Sequence, residues 1–415
     1  MSLLRGVGPV VPLPSPVPPS VPRARNAYAS ESSVGSPDEA AASRRGRRRA
    51  HLRWGAGPVI ARARRILVTR RPVVLVTGAG GEVGHGLIHQ LADLAVYDVL
   101  ALDVRAVDEK IARRCAATRI GDILDRHLLD RLRSEFEISV VFHLAALLST
   151  RAEFVPETAH EVNVQGTLNL LRLAVDEARS LGHPVRFLFP SSIAVYGMPD
   201  LDTKRAAGKV AELAWLSPTT MYGCNKLYCE HLGRYFARHY RQLAAGEPSG
   251  VDFRAIRLPG LISAFTEPSG GTSDYAPEMI HAAAQRRPYT CFVREDTRIP
   301  FMAMPDAITA LLALLEAPAG SLTRPVYNVA AFSPSAGELA DLVRSAFPEA
   351  RISFAPDRRR QAIVDSWPED VDDTPARRDW ASGRPTISGA RSRNTSCRTS
   401  RGGTPRADRE VAHVR

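Results

Sequence analysis

In the stretch MYGCNK, Tyr222 and Lys226 stand four positions apart. On a helix, positions i and i+4 share one face, so the phenol and the ammonium are neighbours. A phenol titrates near ~10 and is a poor base at neutral pH. A nearby positive charge favours its ionised form. An ionised Tyr222 can take the proton of an alcohol while hydride leaves the same carbon. Lys226 is also placed to hold a ribose. Such chemistry needs a donor to the substrate oxygen, and FPSSIAVYG supplies two candidates, Ser191 and Ser192, at a strand end. The plainer reading of these serines is a strand-to-loop cap. A Tyr-Lys pair at this spacing also occurs on ordinary surface helices, so the pair gains meaning from what surrounds it.

A seat for a hydride acceptor lies in VTGAGGEVGHG, where Gly78, Gly81 and Gly84 form Gly-x-x-Gly-x-x-Gly between a strand pattern and a helix pattern. A tight turn, close backbone approach to a pyrophosphate and close helix-strand packing each need glycine there. The N–H groups of Glu82 and Val83 then face the phosphates; the alternative is a plain turn. Asp103 ends the next strand about 20 residues past Gly84, where a carboxylate accepts the ribose hydroxyls of NAD and repels a 2′-phosphate. Arg105 argues for the phosphorylated cofactor, but the carboxylate points to NAD. Asp122 and Ile123, in GDILD, fall near the expected adenine. Asp122 reads equally as a helix cap.

These residues need a frame. PVVLVTG, YDVLALD, the start of RIGDILD, ISVVFHLAAL, VRFLFPSS and VDFRAIRLPG read as six strands. EVGHGLIHQLADL and DRHLLDRLRSEF read as helices, as do Pro156–Ser180 and a segment from Ser217 to Leu243. Ser217 is placed to cap the last of these, with Pro218 at its first position. The alternation predicts an α/β fold with a doubly wound, Rossmann-type parallel sheet. A less regular, smaller C-terminal lobe should lie over the carboxyl ends of the strands. The expected division is a leader at 1–71, an NAD-binding domain at 72–258, a substrate lobe at 259–380 that shares sheet strands, and a tail at 381–415.

The chain of 415 residues carries a net charge of +11, unevenly spread. The leader holds 14 Arg against 3 acidic residues and the tail 8 against 2, which leaves 33 basic and 39 acidic residues between them. A nucleic-acid-reading surface on the body is thereby excluded. The Pro-, Ser- and Arg-rich leader cannot bury enough apolar surface to order itself. It reads either as an organellar transit peptide or as a start codon set too early in a GC-rich gene. None of the 5 Cys forms a Cys-x-x-Cys pair and no zinc-ligand spacing occurs, so free thiols in a reducing compartment are expected. No apolar run is long enough to span a bilayer. The expectation is a cytoplasmic protein.

The glycine turn, the serine pair and the Tyr-Lys pair together resemble the extended short-chain dehydrogenase/reductase superfamily, which includes the nucleotide-sugar epimerases. HLAALLS, FPSSIAVYG, MYGCNK, RLPGLIS, GGTSDYA, YNVAAFSPS and IVDSWPEDVDDTPARRDW narrow the resemblance to the epimerase-like L-threonine 3-dehydrogenases, over Pro72 to Trp380. That family implies metal-free, NAD-dependent oxidation of the threonine Cβ hydroxyl to 2-amino-3-oxobutyrate. It places Leu144, Ala145, Ala146, Asn163 and Leu258 at the cofactor, with Tyr222 and Lys226. On the substrate side it implies Ser149, Ser191, Tyr222, Gly260, Thr272 and Trp367. The epimerase pattern instead favours Ser192 beside Tyr222, and both serines stand.

Threonine is a small zwitterion, and TEPSGGTSDYA offers small polar groups to close around it, with Thr272 a donor on a glycine-flexed loop. Trp367 reads as a wall against the methyl group or as ordinary lobe packing. The two long helices imply a homodimer, unless the monomer buries them. After RRDW the chain leaves the family pattern, and a frameshift near Trp380 would account for it. Two other functions fit the residues less closely: a nucleotide-sugar epimerase or dehydratase, and a non-catalytic NAD-binding regulator, for which Tyr222 and Lys226 would have no use.

Overall fold

Val73–Thr77 (β1) is buried from Val74 onward, with Val74 and Val76 in one core and Leu75 in another. Burial on both faces is why this strand reads as a continuous apolar run. In the computed structural model the described residues are 71–244, 249–264, 266, 268 and 270–381. Apart from Arg71 and Ala381, the expected leader and tail lie outside them.

After β1 the main elements are α1 (Glu82–Leu94), β2 (Asp98–Asp103), β3 (Ala117–Ile120), α2 (Arg126–Glu135), β4 (Ile138–His143), α3 (Gly166–Leu181), β5 (Val185–Ser192) and α4 (Met221–Arg238). Then come β6 (Val251–Leu258), α5 (Tyr275–Ala284), α6 (Met304–Glu316), β7 (Val326–Asn328), α7 (Ala336–Ala346) and α8 (Arg358–Asp365). The seven strands run β7-β6-β5-β4-β1-β2-β3 across the sheet, and every pair is parallel. The order reverses between β1 and β4, which opens a crevice at their carboxyl ends. This is the expected doubly wound sheet. One core lies under α1 and α6, the other under α2 and α3.

A smaller lobe is tied together by short parallel pairs: Gly260–Ile262 with Phe301–Ala303, Tyr289–Cys291 with Ile352–Phe354, and Lys209–Val210 with Asp370–Val371. Its core gathers Tyr196, Tyr275, Met279, Phe301 and Trp367. Body and lobe interleave along the chain. Ile193–Tyr196 pack in the lobe, while α6 and β7 return to the sheet after it.

Three local readings are corrected. β4 ends at His143, and the chain is irregular until Ser149. The helix expected from Pro156 to Ser180 runs unbroken to Leu181, but it widens to a π turn at Glu161–Gln165. The helix expected from Ser217 to Leu243 spans Met221–Arg238; Thr220 is its cap, and its side chain accepts from the Gly223 N–H at 3.1 Å. Ser217 lies in the extended approach to that helix, directly after a bend in which Trp215 adopts φ 53°.

Candidate active site

The cofactor turn leaves no room for side chains where it counts. Gly78 has φ 69°, and a Cβ there would lie 2.6 Å from the Ala145 nitrogen. A Cβ on Gly84 would lie 2.6 Å from the Ala79 carbonyl oxygen. Gly81 occupies the N-cap of α1, which has no side-chain cap. The first N–H groups of that helix, those of Glu82 and Val83 among them, are therefore available to an anion. Asp103 Oδ2 accepts from the Gly80 N–H at 3.0 Å and Oδ1 from the Arg105 N–H at 3.1 Å. The carboxylate is thus pinned at the turn, while the Arg105 side chain is exposed. A glycine cradle, an uncapped helix and a fixed carboxylate together fit a dinucleotide.

The floor of this seat was not foreseen from sequence. His143 is buried, with Nδ1 2.9 Å from Thr77 Oγ1 and Nε2 2.9 Å from Thr167 Oγ1. Burial, helped by the charge of Lys226, pushes its pKa down to about 3, so the ring is neutral. The Thr167 hydroxyl donates to the Asn163 carbonyl at 2.5 Å, which fixes the direction of the chain. His143 Nε2–H donates to Thr167, and Nδ1 accepts from Thr77. Thr77 Oγ1 in turn accepts from the Ala145 N–H at 3.4 Å. The Asn163 amide grips Leu147 by both its N–H, at 2.8 Å, and its carbonyl, at 3.0 Å. Leu144–Leu147 is thereby held against Gly78. The one signal in the sequence was a register, Thr77 opposite His143, which only the assembled sheet reveals.

The adenine-side candidates divide. Asp122 Oδ1 accepts from the Leu124 N–H at 2.9 Å, and the cap of α2 is Asp125, not Asp122. Ile123 is buried, and a Cβ on Gly166 would fall 2.3 Å from its Cδ1. Its carbonyl accepts from Asn169 Nδ2 at 3.1 Å.

The first turn of α4 lies on the turn Ile193–Val195. A Cβ on Gly223 would sit 2.1 Å from the Ala194 carbonyl oxygen, so only glycine allows this approach. Tyr222 is thereby brought to the end of β5. Lys226 Nζ donates to the Pro190 carbonyl at 2.7 Å and lies 4.4 Å from the centre of the Phe189 ring and 5.6 Å from that of Tyr222. Burial pushes the Lys226 ammonium down to about 8. Burial also pushes the Tyr222 phenol up in this cofactor-free state. In this state the ammonium serves Pro190.

Ser191 and Ser192 face opposite ways, as successive strand residues must. Ser191 is buried and donates to Glu230 Oε1 at 2.5 Å. Glu230 also takes Arg257 Nε at 2.9 Å and Nη2 at 2.7 Å. Arg257 Nη1 donates to the Tyr196 hydroxyl at 2.9 Å and to the Glu212 carbonyl at 2.7 Å. Ser192 is half-buried, and its oxygen accepts from the Ala194 N–H at 3.2 Å. Its hydroxyl hydrogen has no fixed acceptor among the described residues. Ser192→Ala is expected to lower turnover about 10-fold or more, with a Tm loss no larger than that of its one cap bond. Ser191→Ala should lower Tm and spare turnover. Steady-state rates and thermal unfolding of both variants check this, and the reverse pattern would exchange the two roles.

Thr272 Oγ1 donates to Ser149 Oγ at 3.2 Å and lies 3.5 Å from Thr150 Oγ1, on the short helix Ser149–Phe154 whose Glu153 accepts from the Met221 N–H at 2.8 Å. Arg360 Nη2 donates to the Gly271 carbonyl at 2.8 Å and steadies that loop. Trp367 packs in the lobe core, and its indole N–H has no partner among the described residues. Gly260 faces the Phe301 ring, which a Cβ would approach to 2.5 Å, and Leu258 is buried at the end of β6. Among the described residues no group of three His, Cys, Asp or Glu could hold a metal.

The model of the NAD dependent epimerase/dehydratase family matches residues 74–330. A Bos taurus protein named "L-threonine 3-dehydrogenase, mitochondrial" is 36% identical over 315 residues, which cover 74% of this chain and 77% of that protein. The chain belongs to the NAD dependent epimerase/dehydratase family.

Among solved structures, a GalE-like L-threonine dehydrogenase from Cupriavidus necator is 37% identical with a TM-score of 0.65, over 75% of this chain and 94% of that one. A UDP-glucose 4-epimerase from Thermotoga maritima shares the fold at 20% identity and a TM-score of 0.61, over 74% of this chain and 91% of its own. As a member of the epimerase/dehydratase family with relatives of this kind, the protein is an NAD-dependent oxidoreductase with the extended short-chain fold.

Proposed function

We propose that this family member oxidises the Cβ hydroxyl of L-threonine, giving 2-amino-3-oxobutyrate. The observation that carries the reading is the hydroxyl cluster of Thr272 with Ser149 and Thr150, the latter two on a helix packed against that of Tyr222. Small polar groups this close suit the ammonium and carboxylate of a small zwitterion. The names of the relatives at 36% and 37% identity favour the same substrate.

NAD, when bound, accepts a hydride from the substrate carbon. In this reading its ribose rests on Asp103 and its phosphates on the N–H groups of Glu82 and Val83. Leu144–Ala146, fixed by the Asn163 and His143 chain, form the wall beside it. Ser192 donates to the substrate oxygen and Tyr222 takes its proton. Lys226 leaves Pro190 to favour the phenolate and to hold a ribose hydroxyl. Thr272 and Ser149 orient the amino acid, with Trp367 as the wall near its methyl group. The β-keto acid formed is prone to lose carbon dioxide.

The same reading makes the protein a homodimer. Tyr228 and Tyr235 on α4 are 54% and 41% exposed, and Phe154, on a neighbouring helix, is 81% exposed. A second copy would cover this face. A reducing, cytoplasmic setting is proposed on the free thiols of Cys115, Cys224, Cys229 and Cys291. No helix among the described residues is long and apolar enough to cross a membrane.

NADH formation with L-threonine, D-threonine and L-serine, and conversion of UDP-galactose to its 4-epimer, test the substrate. L-Threonine should be turned over fastest by far. Turnover of the nucleotide sugar alone, or binding of NAD with no turnover of any of the four, would overturn the proposal. Sedimentation of the same preparation at the monomer mass would remove the dimer.

A further inference from the structure

The glycine turn carries an acid where an anion has to sit. Glu82 is the first residue of α1, so its own N–H belongs to the uncapped helix end. Its carboxylate accepts from the hydroxyl of Thr266, in the segment that follows the strand Gly260–Ile262. Thr266 Oγ1 lies 2.8 Å from Ser263 Oγ, and the Ser263 side chain also bonds to Glu82. His281 Nε2, on α5, lies 3.0 Å from the Ser263 carbonyl oxygen. Among the described residues no Lys or Arg forms an ion pair with Glu82. The other charged group facing it is Asp274, at the N-cap of α5. Burial holds the Glu82 carboxyl above its ordinary range; the two hydroxyls and His281 work against that rise, and Asp274 adds to it.

A helix end favours one negative charge nearby. A pyrophosphate brings two more to a place where Glu82 is already held. We propose that the Glu82 side chain is an electrostatic brake on dinucleotide binding, held beside the phosphate seat by Thr266 and Ser263 and released by protonation. The inference rests on NAD lying across the glycine turn. The sign follows from linkage. Phosphate charge favours protonated Glu82, so binding takes up a proton in the window between its free and bound titrations. Affinity is greatest below that window and falls as pH rises through it. One unit of coupling corresponds to about a 10-fold change in Kd.

Calorimetric titration of the full-length protein with NAD across the acid to mildly alkaline range tests this. The wild type should bind about 10-fold more weakly at the alkaline end, with proton uptake visible as a difference between buffers of unlike ionisation heat. Glu82→Gln keeps the shape and an acceptor for Thr266 but not the charge. It should bind at the tight limit across the range and take up no proton through this site. Thr266→Val withdraws a bond that favours the charged form, so the wild-type window should move to higher pH.

His281 is a second ionisable group on this segment, so Glu82→Gln is read again in a His281→Asn background. A Glu82→Gln protein that binds no tighter than wild type at alkaline pH, or keeps the full slope in that background, overturns the brake. Asp103→Ala separates the underlying reading. If it weakens NAD at every pH, the seat stands whatever Glu82 does; if it has no effect, the placement of NAD falls first.

Discussion

Tyr222→Phe is expected to lower turnover about 10²–10⁴-fold, the usual loss when a positioned proton acceptor is removed. NAD affinity and Tm should hardly move. The Tyr222 hydroxyl makes no hydrogen bond among the described residues, so its loss leaves no partner stranded. Burial pushes this phenol up, and the neighbouring Lys226 ammonium is turned to Pro190. At neutral pH the cofactor-free protein therefore holds a neutral phenol. Ionisation has to await a positive nicotinamide and a Lys226 that releases the Pro190 carbonyl. Wild-type kcat/KM should rise with pH, because the working form has lost the phenolic proton. The residual rate of Tyr222→Phe should lack that rise. A variant with undiminished turnover and an unchanged pH profile would assign proton transfer to another group.

The second large effect concerns stability. Arg257 and Glu230 are 2% and 1% exposed and meet through two hydrogen bonds. Glu230→Ala leaves a guanidinium buried without its counter-ion, at an expected cost of about 3–5 kcal/mol. Tm should fall by on the order of 5–10 °C. Replacing both residues by methionine should recover much of that loss, since the double change buries no charge. Thermal unfolding of wild type, Glu230→Ala and the double variant measures it. A double variant as unstable as the single one would show that the network, and not the stranded charge, sets the cost. Glu230 also accepts from Ser191, so the single variant strands that hydroxyl as well.

Much of this molecule is local in its logic and was legible on that account. The β-branched run of β1, the glycines after it, and the strand that ends at Ser192 each follow from residues within a few positions of one another. Tyr222 and Lys226 share a helix face, but the helix starts at Met221, because Gly223 must meet Ala194 and Trp215 bends the chain just before Ser217. β7, at three residues, is too short to show a period. Ser191 and Ser192 could not be told apart from sequence. Their difference is made by Glu230 and Arg257, which lie 39 and 66 positions beyond Ser191 and meet it only in the fold. The brake at Glu82 was hidden for the same reason: Thr266 approaches it from 184 positions away.

The chain of bonds from Ala145 to Asn163 carries its own liability. The imidazole at its centre cannot accept a proton without turning an acceptor into a donor that would face a hydrogen already in place. An unfolded chain has no such objection and takes the proton near its ordinary pKa of 6.5, whereas the native ring waits until about 3. Stability is whole above the first value and drains away toward the second, by up to about 1.4 kcal/mol for each pH unit. Acid thus works on the protein twice: it keeps the phenol protonated first, and below the imidazole's ordinary range it also loosens the girder under the glycine turn.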